Sequence, residues 1–211
     1  MGTLSKGILG GFSGTVGPVI GGTWKGIPYM RSRPAKRSGK FSTEQLEQQM
    51  KFSIIVHFLQ AVTGVIDVGF KNFANGMTAF NSAFSYNIKN GITGISPDFE
   101  VDYAKVLLSR GDLPNAIAPA ATTTGNKVFF TWTDNSGMAK ALSTDNSILV
   151  VYCKEMGASI FTYTGPQRSA ASAQLDVSSF AHQTVETWIA FISEDGSEVS
   201  NSLYTGELVI A

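Results

Sequence analysis

The sequence predicts an α+β chain: a glycine-rich basic N-terminal arm, two to three helices, then an antiparallel β-sandwich of immunoglobulin or fibronectin-III type. Three observations carry this. Residues 1–40 hold ten of the 22 glycines, and residues 1–43 hold seven basic side chains and no acidic one. Apolar residues then recur every three or four positions to about Lys89, the helical period. From Pro97 the period becomes two, broken by regular turn clusters, which is the pattern of short antiparallel strands. The expected divisions are 1–40, 41–96 and 97–211.

In the arm, glycine recurs at Gly7, Gly10, Gly11, Gly14, Gly17, Gly21, Gly22 and Gly26. This density costs too much chain entropy for a stable lone helix or strand, so an ordered arm is expected to pack on its own domain or on a neighbour. Gly10/Gly14 and Gly17/Gly21 have the small-xxx-small spacing that lets backbones approach, and Trp24 supplies the bulk beside them. Neither a Gly-Lys-Ser/Thr phosphate loop nor G-x-G-x-x-G occurs in the arm, which argues against nucleotide binding.

Residues 41–66 are predicted helical. Ser42 and Gln45 make a capping box, Phe41 can staple onto Leu46, and Leu46, Met50, Ile54, Phe58, Val62 and Val65 form an i, i+4 stripe. Gly64 and Gly69 are expected to bend or end it. A second piece carries Phe70 and Phe73 and stops at Asn75-Gly76; a third runs from Thr78 to about Lys89. Phe70, Phe73, Phe80 and Phe84 are read as core or as a subunit interface.

Strict alternation over Asp98–Tyr103 predicts a strand with one wet face. Further strands are expected at 127–133, 147–154, 159–164, 173–177, 184–193 and 202–210. The segments Val128–Trp132, Leu149–Tyr152 and Thr187–Ile192 resemble the B, C and F strands of fibronectin type III or immunoglobulin-like sandwiches.

The opening run Ser5-Lys6-Gly7, Gly10-Gly11-Phe12-Ser13-Gly14, Val16-Gly17, Gly21, Trp24-Lys25-Gly26, Tyr29-Met30-Arg31-Ser32 and Pro34 resembles an uncharacterised Bacteroidota family of unknown function. Phe130–Gly137 and Val199–Tyr204 look like it too. The resemblance implies a bacterial or phage-associated protein and brings no activity or catalytic residue. Thr15 stands where many relatives are expected to carry Lys, which removes one arm charge.

The net charge is zero, but residues 44–211 carry nine basic and sixteen acidic side chains, a balance of −7 against the +7 of the arm. Such asymmetry points to an anionic partner for the arm. Lys25, Arg31, Arg33, Lys36, Arg37 and Lys40, interleaved with Trp24 and Tyr29, are the candidate contacts to nucleic acid or to an acidic face of a sister subunit. One Cys and two His exclude a disulfide framework and make a metal site improbable. His57 and His182 read as satisfied or solvent-facing, Asp98, Glu100 and Asp102 as a solvated strand face, and Arg110-Gly111-Asp112 as a turn. There is no nucleophile elbow, and no catalytic residue, cofactor, metal or small-molecule substrate is expected. Gly7 to Trp24 is uncharged but too glycine-rich for a signal h-region or a membrane span, so the expected location is cytoplasmic or a virion. The leading expectation is a non-enzymatic, self-assembling structural protein, a homo-oligomer joined through its arm. The alternatives are a nucleic-acid-binding protein or a carbohydrate- or surface-binding sandwich.

Overall fold

The computed structural model describes residues 2–4, 10–35 and 39–211, with Leu4 by its backbone alone. The chain forms two compact units, Met1–Ser42 and Thr43–Ala211.

The first unit is a sheet. Strands β1 (Thr3–Leu4), β2 (Phe12–Val16), β3 (Val19–Trp24) and β4 (Ile27–Ser32) pair antiparallel in chain order. Glycine at this density is expected to be too costly for a lone strand; here the strands are not alone but pair into one sheet, in which Gly14 opposes Gly21. Two of the glycines close hairpins. Gly17, at φ +56°, begins the two-residue turn between the paired Val16 and Val19, as a type II′ turn requires. Lys25 and Gly26, at φ +48° and +82°, form a left-handed turn between Trp24 and Ile27. Others receive rings. The Phe12 ring lies against Gly21, where a Cβ would also strike the Phe12 carbonyl. A Cβ on Gly22 would come 3.0 Å from the Tyr29 ring, which belongs to its directly opposed partner. Aromatic cover of strand glycines offsets part of their entropy cost.

The second unit begins with helices α1 (Thr43–Ala61), α2 (Thr63–Gly69) and α3 (Ala79–Asn90). α1 starts one residue after Ser42, where the capping box places it. The single helix expected over 41–66 is in fact two, bent by 85° at Val62. The bend lets both pieces follow one surface: Ile55, Phe58, Leu59, Val62, Val65 and Ile66 are all buried in one cluster. Thr78 caps α3 by accepting the Asn81 N–H at 3.1 Å. A hairpin follows, β5 (Ile92–Ile95) with β6 (Asp98–Val101). The sequence reading had only its second strand, because Ile92-Thr93-Gly94-Ile95 is short and contains a glycine.

The sandwich comprises β7 (Ile117–Thr124), β8 (Lys127–Thr133), β9 (Asn146–Cys153), β10 (Ala158–Thr162), β11 (Ser172–Asp176), β12 (Thr184–Ile192) and β13 (Leu203–Val209). One sheet has the order β11-β8-β7 and the other β10-β9-β12-β13. First, second and fifth strands thus oppose third, fourth, sixth and seventh, the division of fibronectin-III-like sandwiches. The fold is α+β with a β-sandwich, and the B, C and F assignments fall on β8, β9 and β12. Strand β7 was missed: Ala118-Pro119-Ala120-Ala121-Thr122-Thr123 has no large apolar residue to mark it.

Two cores lie on either side of the four-stranded sheet. Leu149, Val151 and Cys153 of β9 and Val185, Ile189 and Phe191 of β12 face Val128, Phe130 and Trp132 of β8. The alternate residues Ile148, Val150, Tyr152, Trp188, Ala190 and Ile192 face the helices. The helices therefore form a third layer on the outside of the sandwich. β9 and β12 are consequently buried on both faces, which explains why their sequences are nearly continuous apolar runs.

Candidate functional site

Opposed residues in an antiparallel pair point to the same side of the sheet. In the N-terminal sheet, Ile20 opposes Arg31, Gly22 opposes Tyr29 and Trp24 opposes Ile27, so one face carries Ile20, Trp24, Ile27, Tyr29 and Arg31. The other face carries Phe12, Val16, Val19 and Met30 around the opposed pair Gly14 and Gly21. Much of this apolar surface is open: Trp24 is 50 % exposed, Tyr29 46 %, Ile27 69 % and Met30 72 %. Gly10 and Gly11 line a small concavity of about 230 Å³ with Phe12, Pro28, Tyr29 and Met30.

The sheet distributes the predicted basic residues rather than clustering them. Lys25 occupies the turn at one end of β4. Arg31 lies near the other end, and Arg33 follows it, its N–H donating to the Pro18 carbonyl at 2.7 Å. The extended chain from Ile27 to Arg31, about 13 Å, separates the turn that holds Lys25 from Arg31. Lys40 is exposed. Lys36 and Arg37 lie outside the described residues. Of the glycines named for packing, Gly14 and Gly21 meet across strands, Gly17 makes a turn and Gly10 borders the concavity; Trp24 sits at a strand end.

In the second unit, the polar chemistry concentrates where the loop after β8 and the loop after β12 meet. Equivalent loops form the binding end of immunoglobulin variable domains. Its buried anchor is Arg168, which is fully buried. Its Nε donates to Asp145 Oδ2 at 3.0 Å, one terminal nitrogen to Asn135 Oδ1 at 2.7 Å, and the other to the Pro114 carbonyl at 3.0 Å. The guanidinium also lies 3.8 Å from the Phe191 ring centre, and Trp132 Nε1 donates to the Arg168 carbonyl at 2.7 Å. Burial pulls the guanidinium below its usual pKa, and Asp145 holds it up against that pull. Asp145 Oδ2 also accepts the Leu142 N–H at 2.9 Å, whereas Oδ1 is buried and has no hydrogen-bond partner. Sequence reasoning missed this pair, whose members lie 23 residues apart and are joined only by the fold.

Two clefts of about 340 Å³ flank the turn after β12. One is lined by Leu113, Lys140, Leu142, Asp145, Ser193, Glu194, Asp195, Ser197 and Glu198. The other includes Asp67, Lys71, Asn146, Tyr163, Thr164, Glu194 and Asp195. Lys140 Nζ meets Glu198 Oε1 at 2.5 Å. Asp195 Oδ1 accepts from Ser193 Oγ at 2.6 Å, Ser197 Oγ at 2.8 Å and Ser197 N at 3.0 Å. These bonds favour the ionised carboxylate and lower its pKa to about 2.

A second polar group sits among aromatic rings. Tyr204 Oη donates to Glu186 Oε2 at 2.6 Å, and Trp188 Nε1 donates to the Tyr103 carbonyl at 3.2 Å. Burial raises the pKa of Glu186, Tyr103, Tyr152 and Tyr204. Phe58, Tyr103, Tyr152, Trp188 and Tyr204 pack edge-on or tilted around it. We read this group as core.

The other residues named from the sequence are dispersed. His57 and His182 are exposed. Asp98 and Glu100 share a face of β6, but Asp102 lies beyond the strand and pairs with Lys105 at 2.8 Å. The Arg110 guanidinium stacks 4.5 Å above the Phe73 ring. Among the described residues no group of three or more His, Cys, Asp or Glu could hold a metal ion. No single described helix is long and apolar enough to cross a membrane.

No curated protein and no solved structure matches the chain. A family model does match, over residues 11–206. That span takes in β2 to β4 of the N-terminal sheet, the helical layer and nearly all of the sandwich. The chain therefore belongs to DUF6266, a family of unknown function.

Proposed function

We propose that this protein is a non-enzymatic structural component that assembles with copies of itself through its N-terminal sheet. The observation that carries the reading is the sheet's composition in space: open Trp24, Ile27, Tyr29 and Met30 on a unit whose ionised side chains are all cationic. A four-stranded sheet with this much uncovered apolar surface gains by burying it. The rest of the chain carries the compensating −7. A homo-oligomer satisfies both needs with one contact, as arm exchange does in symmetric assemblies. The setting we favour is a phage particle or filament-like lattice of Bacteroidota origin, in the cytoplasm or the virion. Deleting residues 1–42 tests the reading. Light scattering should then report a single protomer mass at concentrations where the full chain is larger. An unchanged mass would discard the proposal.

A second reading has its own observation. Trp24, Tyr29 and Arg31 share one sheet face, a stacking platform beside a cation suited to single-stranded nucleic acid. It predicts gel-shift affinity that falls steeply with salt and drops when Arg31 and Arg33 become Ala. Binding that is absent or indifferent to salt would remove it.

A further inference from the structure

We infer that the cleft between Lys140–Asp145 and the turn Ser193–Glu198 receives a lysine or arginine side chain from the N-terminal segment of a second copy. The inference rests on the assembly reading above and names the surface that accepts the arm.

The cleft has the shape and chemistry for a charged head on an aliphatic stem. Its volume is about 340 Å³. Glu194, Asp195 and Glu198 line it, and Lys140 is the basic residue among its lining. Lys140 is taken up by Glu198 at 2.5 Å, which shows that an alkylammonium group seats on this wall. Glu194 and Asp195 remain without an ion-pair partner among the described salt bridges. Leu142 is 59 % exposed beside them and offers apolar surface for a stem, as long cationic side chains prefer.

The independent pointer to a ligand is Asp145. Its side chain is only 1 % exposed and it lines this cleft. Oδ2 is used by Arg168 and Leu142, while Oδ1 lacks any donor. A buried carboxylate oxygen without a donor is costly and needs an explanation. An incoming ammonium or guanidinium group brings several donors at once. A metal ion is a poorer fit, because no three-carboxylate group among the described residues is arranged to hold one.

The donor follows from charge. Residues 1–43 carry seven cations and no anion, and both Arg31 and Arg33 are exposed. The cleft lies at the loop end of a rigid sandwich, where a partner meets little resistance from regular structure.

The test uses the full-length chain and measures native mass against concentration by light scattering. Glu194→Lys, at an exposed turn position, should raise the concentration needed for assembly at least about tenfold, equivalent to about 1.4 kcal/mol. Arg31→Glu with Arg33→Glu should do the same. Combining both sets should restore assembly to within about threefold of the parent, because the reversed charges attract again. Near-ultraviolet circular dichroism checks that each variant is folded. Should Glu194→Lys fail that check, Glu194→Gln takes its place and should still cost about threefold. Assembly by the Glu194 variants at the parental concentration overturns the cleft. So does a combined variant no better than the arm variant alone. Either result leaves the assembly proposal standing if deletion of residues 1–42 still gives a protomer. If that deletion has no effect, both fall.

Discussion

The molecule contains two four-stranded antiparallel sheets that differ in almost everything except their hydrogen bonding. The N-terminal sheet has Gly14, Gly21 and Gly22 within its strands and leaves β4 exposed at all six positions. The central sheet of the sandwich has no glycine in β9 or β12, and nearly every residue of those strands is buried. Backbone ladders contribute modestly in net terms, because water competes for the same groups. What separates the sheets is side-chain cover. The central sheet is clad by helices on one face and by the second sheet on the other. In the N-terminal sheet the described cover of Gly21 and Gly22 comes from the sheet's own Phe12 and Tyr29 rings, and in the assembly proposed above a second copy supplies further cover.

The comparison can be broken from the side of the body. Arg168→Met leaves the buried Asp145 carboxylate uncompensated and should cost about 3–5 kcal/mol, read as a lower urea midpoint. Adding Asp145→Leu should recover much of that loss, since removing both charges removes the desolvation penalty. From the other side, Gly21→Val places a side chain against the Phe12 carbonyl and ring. It should cost about 1–3 kcal/mol of local stability. Amide-exchange protection in β2 to β4 should fall while the body's urea midpoint stays put. A parallel fall of both would show that the two units unfold together. Tyr29→Ala uncovers Gly22 and should cost a smaller amount, about 0.2–1 kcal/mol, in the same exchange measurement.

The smallest effect concerns pH. Asp195 has a folded pKa near 2, below the ordinary 3.8. The folded state therefore binds this proton less tightly, and the stability it contributes is present above about pH 4 and is lost as pH falls through 2. Asp195→Asn should be slightly less stable than the parent at pH 6, and the difference in thermal midpoint should close towards pH 2. The first 43 residues contain no carboxylate side chain, so exchange protection in the N-terminal sheet should not track any Asp or Glu of its own over that range.

Legibility followed the same division. Strands β8 to β10, β12 and β13 were readable because each carries β-branched or aromatic residues between turn clusters, whereas β11, Ser172–Asp176, carries neither and was marked by its alternation; the bounds of all six lie within two positions of expectation. α3 was readable from Thr78 and Asn90-Gly91. The continuous apolar runs Ile148–Tyr152 and Trp188–Ile192 also contained a signal that went unused: a strand without polar alternation has both faces covered, which predicts a third layer. β2 and β3 were not readable, since glycine carries no side chain from which a period can be counted; β4, Ile27–Ser32, has no glycine, but its Pro28 and the basic run beginning at Arg31 obscure any alternation. The candidate cleft was not readable either. Asp145, Glu194 and Glu198 are ordinary turn acids in sequence, and only the meeting of two loops brings them together.

By itself the sequence determined the succession of helices and then sandwich, the α+β class and the opposition of a cationic start to an anionic remainder, because periodicity and charge are properties of neighbours along the chain. Tertiary structure alone decided that the glycine run pairs as a sheet, that the helices clad the sandwich, and that Arg168 finds Asp145. Those outcomes depend on contacts between distant segments, whose free energy exists only once the chain has closed on itself.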